Sequence, residues 1–155
     1  MKSNLKTLII CVAIPLAVGF VSSLLTRTGM ESSVMMKPPL SPPGWIFPIV
    51  WTILYVLMGM ASYLIVTSNA SQQAILSALK LYAAQLAINF FWSIIFFNLN
   101  WYFIAFLWII LLWVLIFLTA KAFARISERA GYLLVPYFIW VTFAAYLTFG
   151  IWILN

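Results

Sequence analysis

The sequence predicts an all-α integral membrane protein that folds as a bundle of five transmembrane helices. Hydrophobic residues make up 66% of the 155-residue chain and charged residues only 6%, and the mean hydropathy is +1.14. A soluble domain of this length cannot bury so large an apolar fraction, so lipid must cover part of its surface. Five apolar stretches are each long enough to cross the roughly 30 Å hydrocarbon core of a bilayer as a helix.

These five stretches are predicted to form a single domain over residues 1–155. The predicted helices cover residues 5–25, 45–66, 75–99, 101–122 and 132–154. Lys2 and Lys6 stand before the apolar run of the first helix, as in a signal peptide, but the run is too long for one, and we expect it to be retained as a helix. Of the connections, only residues 27–44 are long enough to act as a lid over one end of the bundle.

The distribution of positive charge predicts an orientation. Five helices place the two termini on opposite sides of the membrane, and the cations then divide unequally. One side carries Lys2, Lys6, Lys80, Lys121, Arg125 and Arg129, and the other carries Arg27 and Lys37. The positive-inside rule therefore puts the N-terminus in the cytoplasm and the C-terminus outside. Because these cations are scattered at helix ends and do not follow one face, they argue against nucleic-acid binding.

Several classes of chemistry are excluded by the residues that the chain lacks. It has no histidine and no aspartate, its only carboxylates are Glu31 and Glu128 in predicted loops, and its only cysteine is Cys11. Paired-carboxylate catalysis, a Ser-His-Asp triad and a His or Cys metal site cannot be assembled, and we expect neither a metal nor a cofactor. The absence of an ionisable residue at mid-membrane also argues against a proton-driven pump.

Polar residues inside the third helix are the first candidates for a functional role. Gln85, Asn89 and Ser93 recur at intervals of four and therefore share one face of the helix. Amides in hydrocarbon need partners, so Gln85 and Asn89 either join helices by hydrogen bonds or face a ligand. The sequence leaves both alternatives open.

Aromatic residues supply a second group of candidates. Trp51 and Tyr55 stand one turn apart on the second helix, and Trp140 and Phe143 flank Ala144 on the fifth. Stripes of this kind most often only pack against a neighbouring helix. Large rings around a small residue can instead wall a cavity for a flat apolar ligand.

Four motifs, separated along the chain, carry a family resemblance. They are Lys37-Pro38 leading into Pro42-Pro43-Gly44-Trp45; Val50-Trp51-Thr52-Ile53-Leu54-Tyr55 with Met58-Gly59; Gln85-Leu86-Ala87-Ile88-Asn89 with Trp92 and Phe96-Phe97; and Pro136-Tyr137, Trp140, Phe143-Ala144, Leu147 and Trp152. In this order they resemble the translocator protein family, also called TspO, tryptophan-rich sensory protein or peripheral benzodiazepine receptor. The resemblance covers nearly the whole chain and is to the bacterial type.

The resemblance implies a five-helix bundle, commonly a homodimer, in a bacterial cytoplasmic membrane. It also implies an aromatic pocket that binds porphyrins such as protoporphyrin IX, isoquinoline-carboxamide or benzodiazepine drugs, and in some members sterols. The ligand-binding positions implied for this chain are Trp51, Tyr55, Gln85, Asn89, Phe90, Trp140, Phe143, Ala144 and Leu147. Ala83, Ala84 and Ala87 form a small-residue surface on the third helix that is expected at a dimer interface, with packing inside one chain as the alternative.

Departures from the family pattern limit what the resemblance implies. Glu31-Ser32 replaces an aromatic pair upstream of the Lys-Pro, and the fourth helix lacks the aspartate of many relatives. No basic residue follows Arg129, so the vertebrate cholesterol motif is absent, and Thr148 stands where an asparagine is common.

The sequence and the resemblance leave three functions open. The first is a membrane receptor or carrier for porphyrins or other flat apolar molecules. The second is a light- and oxygen-dependent porphyrin-degrading enzyme in which Trp51 and Trp140 are the catalytic, oxidisable groups. The third is a structural or accessory membrane subunit whose aromatic residues only pack.

Overall fold

The computed structural model describes residues 5–32 and 36–155, with side chains described for residues 5–27 and 36–155. Within these ranges the chain forms helices and no strands. The helices are α1 (Leu5–Ser32), α2 (Ile46–Val66), α3 (Gln72–Ser93), which continues as a π-helical turn (Ile94–Asn98), α4 (Tyr102–Ile126), α5 (Glu128–Leu133) and α6 (Val135–Leu154).

Among residues 5–32 and 36–155, five helical segments are long and apolar enough to span a membrane, which confirms the predicted fold class. They are Leu5–Arg27, Ile46–Val66, Gln72–Asn98, Tyr102–Ile126 and Glu128–Leu154. The third combines α3 with the π-helical turn, and the fifth combines α5 with α6. The protein is therefore an integral membrane bundle of five spans.

The helices extend beyond the apolar stretches at several ends. The predicted connection at residues 123–131 is helical apart from Ser127, whose extended backbone breaks α4 from α5 and whose Oγ accepts a hydrogen bond from the Ala130 N–H at 3.4 Å. Ser71 caps α3 in the same way, accepting from the Ala74 N–H at 3.1 Å. Hydropathy measures affinity for lipid, so it does not register turns that are held by caps in the interface.

Two halves of the bundle pack differently. The half that contains the α2–α3 and α4–α5 connections, called here the closed half, is filled by side chains with at most 1% exposure. Its core includes Met58, Ala61, Ile65, Ile116, Phe123, Ala130 and Leu134. The opposite half, which contains the α1–α2 and α3–α4 connections, encloses a cavity and is called the cavity half.

Candidate functional site

The cavity has a volume of about 590 Å³, which lies within the range of roughly 300–1,000 Å³ typical of ligand pockets. Its walls come from α1, α2, the end of α3 and α6, and the segment before α2 lies across its mouth. Six of the predicted ligand-binding residues line it: Trp51, Tyr55, Asn89, Trp140, Ala144 and Leu147. Lys37, Pro42 and Gly44 line it as well, so the structure brings together residues from all four sequence motifs.

Aromatic rings form most of the broad surfaces around the cavity. Trp51 stacks on Tyr55 with ring centroids 5.6 Å apart and planes inclined by 30°. Trp92 stacks on Phe96 with ring centroids 5.1 Å apart and planes inclined by 24°, while Trp140 packs edge-to-face with Phe47. Stacked pairs present extended flat faces, which suit a flat apolar ligand.

A chain of hydrogen bonds holds three helices together beside the cavity. The Tyr55 hydroxyl donates to Asn89 Oδ1 at 3.2 Å, and Asn89 Nδ2 donates to the Tyr137 hydroxyl oxygen at 2.7 Å. The Tyr137 hydroxyl in turn donates to Gln85 Oε1 at 2.7 Å. Both polar ends of the Asn89 amide therefore have protein partners, so this residue joins α2, α3 and α6 as well as lining the cavity.

Three of the predicted ligand-binding residues do not line the cavity. Gln85 is 1% exposed and lies behind Tyr137, so its amide oxygen joins helices and does not reach the cavity. Phe90 packs edge-on against Phe91 with centroids 5.2 Å apart. Phe143 contacts the Trp140 ring, with centroids 5.6 Å apart, and does not itself line the cavity.

Some hydrogen-bond donors around the cavity have partners within the protein, and others do not. Thr52 and Thr148 donate their hydroxyl hydrogens to carbonyls of their own helices at 2.7 Å. By contrast, the Nε1–H groups of Trp92 and Trp140 are buried and have no hydrogen-bond partner among the described residues. A buried donor without a partner costs roughly 1–3 kcal/mol, so these indoles favour a ligand that carries acceptors.

The segment across the mouth is fastened to the end of α6. The Tyr146 hydroxyl donates to the Pro39 carbonyl at 2.7 Å. The Asn155 side chain accepts from the Met36 N–H at 3.2 Å and donates to the Met36 carbonyl at 2.9 Å. Lys37, between these two fastenings, is exposed and lines the mouth, where it supplies the cavity with one positive charge.

Comparison with known proteins assigns the chain to a family. The model of the TspO/MBR family matches residues 11–153. The chain belongs to the TspO/MBR family. A tryptophan-rich protein TspO from Chlorobaculum tepidum is 40% identical over 157 aligned residues, which cover 100% of this chain and 99% of the relative.

More distant TspO/MBR relatives come from other groups of organisms. Protein CrtK from Rhodobacter capsulatus is 36% identical over 78% of this chain and 76% of its own length. The translocator protein of sheep, Ovis aries, is 39% identical over 76% of this chain and 70% of its own length. Identity at this level over most of each chain confirms the resemblance that the four sequence motifs carry.

Several cavity residues were not predicted as ligand-binding from the sequence of this TspO/MBR protein, among them Lys37, Trp92 and two sets that each lie on one element. Gly19, Ser22 and Thr26 line the cavity from α1, and their spacing of three and four residues is the pattern of one helix face. Phe96 and Phe97 line it from the π-helical turn, a distortion that often accompanies functional sites. The spacing of the small and polar residues in α1 is visible in the sequence and could have predicted that face, whereas the sequence does not predict the π-helical turn.

Other predicted features fall outside the cavity. Ala83, Ala84 and Ala87 are exposed on α3, so none of the other described helices covers them. Lys2 and the side chains of Glu31 and Ser32 lie outside the described residues. The contribution of Glu31-Ser32 to a lid therefore stays a sequence prediction.

Proposed function

We propose that this membrane protein of the TspO/MBR family is a receptor or carrier that binds porphyrins of the protoporphyrin IX type in the cavity. The observation that carries the proposal is a cavity of about 590 Å³ whose broad walls are stacked aromatic rings and whose mouth is lined by the positively charged side chain of Lys37. A tetrapyrrole offers a large flat apolar face and carboxylates at one edge. The flat face matches the aromatic rings, and the carboxylates match Lys37 and the indole N–H donors.

Binding has an apolar and a polar part. Burial of the macrocycle against Trp51, Trp140 and Phe96 removes apolar surface from water, worth roughly 25 cal/mol per Å². The indole N–H groups of Trp92 and Trp140 are covered by neighbouring groups in this structure. We therefore expect each ring to turn slightly toward an acceptor on the bound ligand. A hydrogen bond to the ligand removes the free-energy cost of a buried donor without a partner, which favours that movement.

The same walls fit isoquinoline-carboxamide and benzodiazepine drugs. Such molecules are also aromatic and largely apolar, and each carries a carbonyl acceptor but no carboxylate. We expect them to use the aromatic walls and the indole donors while making little use of Lys37.

Filling the cavity is the first test. Ala144 lines the cavity and is 7% exposed, so Ala144→Phe places a ring inside it. Ala17→Phe is the matched control, because Ala17 is exposed on α1 and does not line the cavity. Purified protein is titrated with protoporphyrin IX in darkness, and binding is followed by the shift of the Soret band. The affinity should fall about 100-fold for Ala144→Phe and should not change for Ala17→Phe. Equal affinities of the two variants would exclude this cavity.

Removing the indole donors is the second test. Trp140→Phe and Trp92→Phe keep an aromatic ring and delete the N–H, and each should weaken porphyrin binding about tenfold. Trp113→Phe is the control, since its N–H already donates to Thr142 Oγ1 at 2.8 Å outside the cavity. A porphyrin with only alkyl substituents should bind the native protein and both cavity variants with equal affinity. A carboxylated porphyrin that also fails to distinguish them would refute the assignment of the donors.

Photochemical degradation of the porphyrin is a second candidate function, favoured by two oxidisable indoles, Trp51 and Trp140, in the cavity wall. Illumination of the complex in air should then bleach the porphyrin faster than in detergent alone. The double variant Trp51→Phe/Trp140→Phe should lose that acceleration under saturating porphyrin. Equal bleaching rates for the native protein and the double variant would remove this function and leave binding untouched.

We also propose an N-terminus in the cytoplasm of a bacterial cell, with the cavity half facing outward. Among the described residues, Lys6, Lys80, Lys121, Arg125 and Arg129 lie toward the closed half, whereas Arg27 and Lys37 lie toward the cavity half. This asymmetry supports the orientation by the positive-inside rule. Labelling of a cysteine introduced at Ser41 by an impermeant thiol reagent in intact cells tests it, and protection of that cysteine would reverse the assignment.

A homodimer through α3 is the remaining part of the proposal. The exposed alanines Ala83, Ala84 and Ala87 allow two helices to approach closely, which favours association in lipid. Ala83→Leu/Ala87→Leu should convert a dimer to a monomer when its mass is measured in detergent by light scattering, while Ala13→Leu/Ala17→Leu on α1 should not. A native mass equal to one chain would refute the dimer.

A further inference from the structure

A second concavity lies in the closed half, on the outer surface of the bundle between α4 and the α5–α6 segment. Its volume is about 610 Å³. It shares no residue with the cavity described above, and neither the proposed function nor the family assignment gives it a role. We propose that this groove binds one anionic phospholipid, with an acyl chain along its floor and the phosphodiester at its charged end.

Small residues make the floor of the groove. Gly131 brings α5 so close to α4 that a Cβ atom placed on it would lie 2.6 Å from the Ala124 Cβ and 3.3 Å from the Ala120 carbonyl oxygen. All three residues line the groove. With only methyl groups and backbone on the floor, a channel remains between the larger side chains on either side.

Larger apolar side chains form the walls. Phe117 on α4 and Phe138 on α6 face each other with ring centroids 6.1 Å apart and close the end that points toward the middle of the membrane. Val135, which is 44% exposed, and Tyr132, which is 70% exposed, form the wall toward the helix end. These apolar surfaces complement a hydrocarbon chain and shield it from water.

Charged side chains stand at the open end, where the membrane-spanning segments finish. Lys121 and Arg125 are four residues apart on α4 and line the groove on the same face, and Glu128 lines it from α5. The Lys121 ammonium lies 5.7 Å from the centroid of the Phe117 ring, so its aliphatic stem follows the apolar wall. Two cations and one carboxylate leave one net positive charge, which matches a lipid with a single negative charge.

The position of Glu128 narrows the choice of headgroup. A carboxylate repels a phosphate but accepts hydrogen bonds from hydroxyl groups. A phosphodiester that also carries hydroxyls, as in phosphatidylglycerol, therefore suits the whole rim: the phosphate lies against Lys121 and Arg125, and a glycerol hydroxyl donates to Glu128. Phosphatidylcholine has the same phosphodiester but adds a cation and lacks a hydroxyl donor.

Native mass spectrometry of the purified protein, titrated with dioleoyl phosphatidylglycerol or dioleoyl phosphatidylcholine, tests the proposal. We expect one phosphatidylglycerol to bind about tenfold more tightly than phosphatidylcholine. Lys121→Gln/Arg125→Gln should abolish that preference. The control Lys6→Gln/Lys80→Gln removes two exposed cations from the same side of the bundle but outside the groove, and it should retain the preference.

A steric variant separates the groove from simple charge attraction. Val135→Trp projects from an exposed wall position and should reduce phosphatidylglycerol binding about tenfold without removing charge. Equal binding of both lipids to the native protein, equal loss of preference in the two charge variants, or full binding to Val135→Trp would each overturn the proposal. Protoporphyrin IX titration of the same variants monitors folding and tests the cavity independently, because the two sites share no residue.

Discussion

The closed half and the cavity half of the bundle differ in what their glycines pack against. In the closed half, Gly59 of α2 lies directly against the backbone of Val12 of α1, and Gly131 lies against Ala124. In the cavity half, Gly19 meets the ring of Tyr55 and Trp51 stacks on that same ring. At Gly59 the missing side chain lets two helix backbones meet, whereas at Gly19 the space is filled by the Tyr55 ring.

This difference matters because lipid removes the usual driving force for burial. Acyl chains are as apolar as leucine, so helices associate where their surfaces fit closely and separate where large side chains hold them apart. The buried hydrogen bonds of Tyr137 with Asn89 and Gln85 lie between the two halves and fix the spacing of α3 and α6. The cavity is therefore maintained by a well-packed half on one side and by rigid rings on the other.

The largest effect on stability is expected from separating α1 from α2 in the closed half. Any side chain at Gly59 collides with the backbone of Val12 and Cys11, which cannot rotate away. Gly59→Val should destabilise the protein by about 3 kcal/mol or more, since overpacking against backbone is at the costly end of such changes. Thermal unfolding in detergent, followed by tryptophan fluorescence, should show a midpoint at least about 6 °C lower or no folded protein.

Gly44→Val is the matched control for this change. A Cβ atom at Gly44 has no neighbour within 4 Å, so the same substitution should alter stability by no more than about 0.5 kcal/mol. If Gly59→Val were as stable as Gly44→Val, close packing would not distinguish the closed half.

Hydropathy and residue spacing predict the spans and much of the cavity, but not the rotation of every helix. Successive residues on an α-helix advance by about 100°, so a spacing of four drifts by about 40°. Gln85 and Ser93 are therefore turned about 80° apart around Asn89. Ser93 and Asn89 line the cavity, and Gln85 falls behind it.

Local backbone geometry explains the rest of what the sequence did not predict. The π-helical turn that carries Phe96 and Phe97 depends on hydrogen bonds such as Leu99 N–H to the Ile94 carbonyl at 3.1 Å, and no composition distinguishes it from an α-helical end. The extension of α4 to Ile126 depends likewise on a break at Ser127 that hydropathy does not register. Aromatic motifs identify the wall residues, and packing decides which of them reach the cavity.

An intermediate effect is expected at the boundary between the halves. Tyr137→Phe removes the hydroxyl that accepts from Asn89 and donates to Gln85, leaving two buried amide groups without these partners. We expect a loss of about 1–2 kcal/mol, seen as a fall of about 2–6 °C in the unfolding midpoint. Tyr132→Phe, at an exposed position of the same span, should leave the midpoint unchanged. Equal midpoints for the two variants would mean that the hydrogen-bond chain does not brace the halves.

The smallest effect on stability, but a distinct one on kinetics, is expected at the mouth of the cavity half. Tyr146→Phe deletes the hydrogen bond to the Pro39 carbonyl, and because Tyr146 is 40% exposed the loss of stability should stay below about 1 kcal/mol. The segment over the mouth should then open more often, so stopped-flow mixing with protoporphyrin IX should show association and dissociation both faster by about threefold, with nearly the same affinity. Phe149→Leu, which changes an exposed ring on α6 outside the cavity lining, is the control and should leave both rates unchanged. Faster dissociation alone would place Tyr146 among the groups that stabilise the bound ligand, whereas a matched rise in both rates assigns it to the fastening of the mouth.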